Sequence, residues 1–346
     1  MLSTIRWGLT SMADCHVSFV IPVLNSEKLL TDCLRSIRRQ DAPHITYEIL
    51  IADGGSHDRS VAVAQEYGCR VLVATGLMAE AAKQMAFREA RGEYIALLDA
   101  DNEIAGTDWL RVAPAALERH PDALGFESYY VKHPRHTHLN CYLTGCLQIS
   151  DPYARFLAGR VRLETREPDG TEVFELPADG SYPTGANGFI FHRHLLEKLP
   201  SIHGYHEAVF FPQLIRTGFR KLLKNPTCGV HHHYVTTWGD YFRKRQRAMV
   251  IYMLRREETP AAWDAGGRGG RQWLALAWFG TVLGPLLAGT WEAIRQHDPD
   301  WLLHPLAGAV STMGNSLGIL RYKLGTDRAR RIALTQALHN KMNPPT

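Results

Sequence analysis

Two hydrophobic periods alternate along the first hundred residues. Residues 16–25 form an apolar run, His-Val-Ser-Phe-Val-Ile-Pro-Val-Leu-Asn, which stops just past a proline and reads as a buried strand. Leu29, Leu30, Cys33, Leu34 and Ile37 then recur at helical spacing, and Asn25-Ser26 stands where a cap is expected. Residues 47–53 predict a second strand ending in Asp53. The turn Gly54-Gly55-Ser56 opens a helix to about Tyr67. Residues 70–74 predict a third strand, 78–91 a helix, and 94–98 a fourth strand running into Asp99-Ala100-Asp101-Asn102. This β-α-β-α-β-α-β order predicts an α/β fold: a mainly parallel, Rossmann-like sheet with helices on both faces.

Ligands of such sheets sit beyond the C-terminal strand ends. Asn25, Asp53, Ser56, Asp99 and Asp101 all fall at such ends. In an extended segment, residues two apart point the same way, about 6–7 Å apart. Asp99 and Asp101 are therefore expected to share one divalent cation, and oxygen ligands suit Mg²⁺ or Mn²⁺. The plainer reading is a strand end followed by an acidic helix cap. Asp53 either accepts hydrogen bonds from a base or ribose or caps its own turn. No G-x-G-x-x-G follows the first strand and no G-x-x-x-x-G-K-[ST] occurs, which argues against a dinucleotide site and a P-loop.

Composition narrows this only modestly. A chain of 346 residues, 45% hydrophobic and 21% charged, is long enough for one large folded domain and an appendage. A net charge of +4 does not mark a nucleic-acid binder, and none is expected as a partner. Six cysteines without a CxxC spacing are expected as reduced thiols in a cytosolic compartment, with no zinc site. Residues 1–16 lack a signal-peptide pattern.

Three blocks carry a resemblance: residues 20–25, residues 53–60 and residues 90–102. In this order and spacing they resemble the family 2 inverting glycosyltransferases of the GT-A fold. The resemblance implies that Pro22 and Asp53 line a nucleotide-base pocket, that Asp99 contacts the nucleotide or ribose, and that Asp101 holds a metal. Lys83-Gln84 stands where the family often has Arg-Asn facing the diphosphate. Residues 181–193 look like the family's glycine-containing loop and strand. Counting back from Gly218, Glu207 falls on the catalytic-base position, with His206 where the family usually has another acid. Glu207 is also the only acid between Glu197 and Asp240. The family often places a histidine after the strand near Pro226 as a metal or diphosphate contact. Spacing favours His232, with His231 next. Tyr129, Tyr130 and Tyr142 would lie where acceptors bind in this family, although on their own they read as a surface stretch with ordinary packing.

From residue 238 the pattern changes. Residues 241–247 begin a basic, aromatic helix. Residues 273–291 and 301–320 then contain no Asp, Glu, Lys or Arg. About twenty apolar residues span a bilayer, and tryptophans mark the segment ends. Basic residues outside the pair, including Arg268, Arg271, Arg328, Arg330 and Arg331, put both outer ends on the cytoplasmic side. Three readings stay open for these segments: a spanning hairpin, helices lying on the membrane, or a pair buried in a homo-oligomer interface. The expected organisation is a GT-A domain over 1–237 (16–105 nucleotide-sugar half, 106–237 acceptor half) and a helical membrane-associated region over 238–346. The expected function is metal-dependent inverting transfer of a sugar, with UDP as the expected nucleotide. The acceptor would be a lipid-linked or growing saccharide at the cytoplasmic membrane face. The rivals are transfer to polyprenyl phosphate itself and a non-catalytic scaffold that retains the fold.

Overall fold

The computed structural model describes residues 15–185, 188–198, 205, 207–258, 271–281 and 283–325. In chain order the strands and helices begin β1 (Cys15–Val23), α1 (Glu27–Arg38), β2 (Tyr47–Asp53), α2 (Ser60–Glu66), β3 (Arg70–Val73), α3 (Ala79–Glu89) and β4 (Gly92–Leu97). Next come β5 (Asn102–Ala105), α4 (Trp109–Arg119), β6 (Ala123–Glu127), β7 (Tyr129–Tyr130), α5 (His138–Asn140), α6 (Pro152–Leu157), β8 (Arg162–Arg166), β9 (Glu172–Glu175) and β10 (Phe189–His192). The chain continues through α7 (Glu207–Arg216), β11 (Lys221–Lys224), β12 (Gly229–His232), α8 (Trp238–Glu258), α9 (Arg271–Gly280), α10 (Leu283–Gln296) and α11 (His304–Leu324). They form two compact units: residues 15–130 with 159–232, and residues 131–158 with 233–325.

The first unit is built on a nine-stranded sheet in the order β3-β2-β1-β4-β10-β6-β11-β9-β8. The four strands read from sequence are parallel neighbours, as expected. The sheet as a whole is mixed rather than mainly parallel. Strand β10 re-enters antiparallel between β4 and β6, and β9 and β8 continue antiparallel beyond β11. Strict alternation of side chains sends Phe19, Ile21, Ile49, Ile51 and Ala96 to one face, under α1 and α4. It sends Val20, Leu50, Ile95 and Leu97 to the other, under α3 and α7. Both faces are covered, as helices on the two sides of such a sheet require. A second sheet, β5-β12-β7, lies beside the C-terminal end of β4.

The second unit is helical. Tyr142, Leu143, Leu147, Tyr241, Trp301 and Ala307 share its largest core. The boundary expected at residue 238 therefore lies at 232/233, and residues 131–158 join the helices because their apolar side chains pack there. Tyr142 is fully buried and cannot serve as an exposed sugar platform. Asp151 pins α8 to α11, accepting from Ser311 Oγ at 2.6 Å and pairing with Arg245 Nη1 at 2.7 Å.

The two expected membrane spans take a different form. The first is interrupted, with α9 ending at Gly280 and α10 starting at Leu283. The second falls within α11, whose packed face is lined by Ala307, Gly308, Ser311, Gly314, Asn315 and Gly318. Among the described residues no helix is long and apolar enough to cross a membrane. The loop around residues 264–270 and residues Arg328, Arg330 and Arg331 lie outside the described residues.

Candidate active site

The turns after β1 and β2 lock onto each other. Asn25 N–H donates to Ser56 Oγ at 3.0 Å, and His57 N–H donates to Asn25 Oδ1 at 2.8 Å. Asn25 adopts a left-handed backbone, φ +48°, which asparagine tolerates. The expected Asn25-Ser26 cap of α1 is replaced by a residue from the other turn: Glu27 N–H donates to Asp58 Oδ2 at 3.0 Å. Asp53, at the end of β2, is buried and accepts from Gly55 N–H at 3.1 Å and Ser56 N–H at 3.2 Å. Gly55 has φ +99°, so the Gly-Gly turn is a backbone requirement. Pro22 sits in β1 opposite Ala52, one residue short of Asp53 on β2.

Asp99 and Asp101 do not continue β4. The strand ends at Leu97, and the chain turns with Asn102 N–H donating to the Asp99 carbonyl at 2.9 Å. Asp99 N–H in turn donates to Asn102 Oδ1 at 3.0 Å. Such an Asx-type turn redirects successive side chains. The expectation that both carboxylates point the same way from an extended segment is therefore corrected. Asp99 faces Lys83 and Asp101 faces His232. Strand β12 runs antiparallel to β5 with His232 opposite Asn102. This register brings His232 Nε2 to 3.6 Å from Asp101 Oδ2, with the imidazole buried and stacked on Tyr130. His231 alternates to the other face of β12 and is half-buried.

Lys83 is the centre of a cluster of charges. It projects from α3, is 4% exposed, and its Nζ lies 3.0 Å from Asp99 Oδ1 and 2.6 Å from Glu207 Oε1. Glu207 is the first residue of α7, 124 residues further along the chain. Burial disfavours the Lys83 charge, but Asp99 and then Glu207 outweigh it and hold the ammonium protonated, above its ordinary range. Burial raises the Glu207 carboxyl to about 7; Lys83 opposes that rise and Asp99 adds to it. Tyr205, buried and two residues before Glu207, finds no hydrogen-bond partner for its hydroxyl among the described residues. The side chain of Lys83 reaches two carboxylates here.

The glycine-containing loop closes on the same rim. Gly188 N–H donates to the Leu97 carbonyl at 2.7 Å, and Ser128 Oγ bridges the Gly188 carbonyl and Trp109 Nε1. Gly188 has φ +77°, and a Cβ there would stand 2.6 Å from Val230 Cγ2, so only glycine fits. Ala186, Asn187 and His206 lie outside the described residues. Two rim residues escaped the sequence reading. Glu127, at the end of β6, pairs with Lys224 Nζ at 3.0 Å and accepts from Thr184 Oγ1 at 2.6 Å. Both strands run parallel to β4, so the rule that chemistry collects at C-terminal strand ends was the signal that would have found them.

Asp101 and His232 offer one carboxylate and one imidazole side by side, a donor set that fits a borderline ion such as Mn²⁺. In the helical unit, Cys146, Asp298 and Asp300 bring ligand atoms within 4.8 Å of one another. There Lys132 Nζ already lies 2.6 Å from Asp298 and 2.5 Å from Asp300, so an ammonium matches the carboxylates. Burial pushes the Cys146 thiol far up, away from the thiolate a metal needs.

Residues 18–148 match the family model described as Glycosyl transferase family 2. The chain is 27% identical over 128 residues to the uncharacterized glycosyltransferase EpsJ of Bacillus subtilis, covering 36% of this chain and 37% of that protein. It is 35% identical over 102 residues to a poly(ribitol-phosphate) beta-glucosyltransferase of Bacillus spizizenii, covering 28% of this chain and 16% of that protein. The chain thus aligns with well under half the length of either relative. Among solved structures, the mannosyltransferase PcManGT from Pyrobaculum calidifontis, in complex with GDP-Man and Mn²⁺, superposes with a TM-score of 0.51 at 16% identity. That match covers 93% of this chain and 92% of that one. Over residues 18–148 the chain is thus similar to family 2 glycosyltransferases, and as a whole it shares the GT-A fold, with a mixed sheet, of the solved mannosyltransferase.

Proposed function

We propose that this chain is a metal-assisted inverting glycosyltransferase that moves a sugar from a nucleoside-diphosphate donor to a saccharide or lipid-linked hydroxyl. The observation that carries the reading is the Lys83 ammonium, which joins Asp99 of the donor rim to Glu207 in one charge cluster. Glu207 is the base. Its carboxyl, raised to about 7, changes charge near neutral pH, where a general base works best. It takes the proton of the acceptor hydroxyl as that oxygen bonds to the anomeric carbon. The bond from that carbon to the diphosphate breaks on the opposite face, so the configuration inverts. Lys83 holds the carboxylate in place and offsets its repulsion by Asp99. Pro22 and Asp53 line the pocket for the base, with Asn25 and Ser56 bracing the turn. Asp101 and His232 would hold the divalent ion, Mg²⁺ or Mn²⁺, which supplies charge neutralisation for the departing diphosphate when bound.

UDP remains the proposed nucleotide; the structural neighbour was solved with GDP-Man and Mn²⁺, so the guanosine donor belongs in any test. A panel of UDP- and GDP-sugars, assayed for nucleotide release with and without Mn²⁺, checks the proposal. Metal-stimulated release from one donor, abolished in Asp101→Ala, is expected. No release from any donor, together with no metal-dependent binding of UDP or GDP, would leave a scaffold that keeps the fold without the reaction.

A further inference from the structure

Helices α10 and α11 present large apolar side chains to solvent, the reverse of a water-exposed surface helix. On α10, Leu283, Leu287, Trp291 and Ile294 share one side of the helix and all are exposed, Trp291 to 65%. Pro285 and Gly289 form its buried side. On α11, Leu306, Met313, Leu320 and Leu324 share another exposed side, Met313 to 63%. The packed side of α11 is made of small residues. A Cβ at Gly314 would come within 2.8 Å of Arg245 Cβ, and one at Gly318 within 2.8 Å of the Gln246 carbonyl oxygen. Around these two glycines helix α8 approaches α11 too closely for a large residue to turn inward, and Tyr322 enters the packed side only beyond them. Eight bulky apolar side chains are thus exposed on two helices that pack against each other, and exposed apolar surface of this kind marks an interaction site.

Charge decides what covers it. From residue 301 to the end, the sequence holds six Lys or Arg and a single Asp. Each acid of the helical unit whose side chain is described is already matched: Asp151 by Arg245, Asp240 by Arg243, Glu292 by Arg295, and Asp298 and Asp300 by Lys132. A second copy would set Arg321 and Lys323, beside Leu320 and Leu324 at the C-terminal end of α11, against their own likeness, with no spare carboxylate among the described acids of this unit to meet them. Anionic headgroups supply the missing charge. Neither helix is long and apolar enough to span, so the face rather than the length must do the binding.

We propose that the exposed faces of α10 and α11 dock this protein onto an anionic lipid bilayer, with the apolar side chains entering the boundary between headgroups and acyl chains. The test is sedimentation of the full chain with phosphatidylglycerol–phosphatidylcholine vesicles and with phosphatidylcholine vesicles alone. Binding to the anionic vesicles, weakened by salt, is expected. The double variant Leu287→Glu/Trp291→Glu should reduce partitioning about tenfold or more, with its circular dichroism and its nucleotide binding unchanged. Three outcomes overturn the proposal: no binding to either vesicle, equal binding by the double variant, or a wild-type dimer in light scattering that the variant disperses. The last would assign the face to a second copy. Vesicle binding needs no turnover, so this result stands apart from the glycosyl-transfer reading.

Discussion

The α/β unit and the α10–α11 pair of the helical unit dispose of their large apolar side chains in opposite ways. In the first, Phe19, Trp109, Phe126, Phe189 and Phe211 are all fully buried between sheet and helices, and polar groups gather at the strand ends. In the second, glycine, alanine and serine fill the contact between α8 and α11, while Leu, Met and Trp side chains face outward. The two regions carry similar hydrophobic runs in sequence. What separates them is the partner each helix meets. A pleated sheet with bulky alternating residues leaves room for large knobs. A helix packed against another through glycines, as α11 is at Gly314 and Gly318, leaves none at those positions.

The largest expected effect lies in the α/β unit. Glu207→Gln, nearly isosteric, should lower kcat by about 10³-fold, within the usual range for losing a general base, while nucleotide binding persists. Asp298→Asn in the other acid cluster should leave kcat unchanged; equal losses would erase the distinction between the two units. Next is the core: Trp109→Ala should cost about 3–5 kcal/mol in denaturant unfolding, since it also strips the indole donor from buried Ser128. Lys83→Gln should then act through pH. A base works only when ionised, so the kcat/KM of the wild type should fall as pH drops through about 7. The Lys83 ammonium holds the Glu207 carboxyl down, so removing it should move that inflection to higher pH. An unmoved inflection would refute the contact as a functional one. The smallest effect is expected at Met313→Ala on the outer face of α11, within about 0.5 kcal/mol in unfolding without lipid. A loss like that of Trp109 would mean the outward face is packed, and the contrast between the units would fail.

Local chemistry was legible where neighbours in sequence are also neighbours in space. The parallel strands β1 to β4, the helices between them, and the strand-end positions of Asp53 and Asp99 follow from periods and turns. Even His232, chosen from the family resemblance and its spacing from Pro226, lies beside Asp101 through the β5–β12 register. Three features were not legible. The re-entry of β10 depends on pairing with strands far away in sequence. The divergence of Asp99 and Asp101 depends on Asn102 closing a turn. The Lys83–Glu207 contact joins α3 to α7, and nothing local to either helix announces it.

By itself the sequence determined periodicity, and with it the elements, the apolar faces and the acidic strand ends, because these depend on bonds and hydrogen bonds between near neighbours. Only the tertiary structure decided which carboxylates share an ammonium and which faces of α10 and α11 meet solvent. Those outcomes depend on distances between segments, set by how closely small residues let helices approach and by which strand pairs with which.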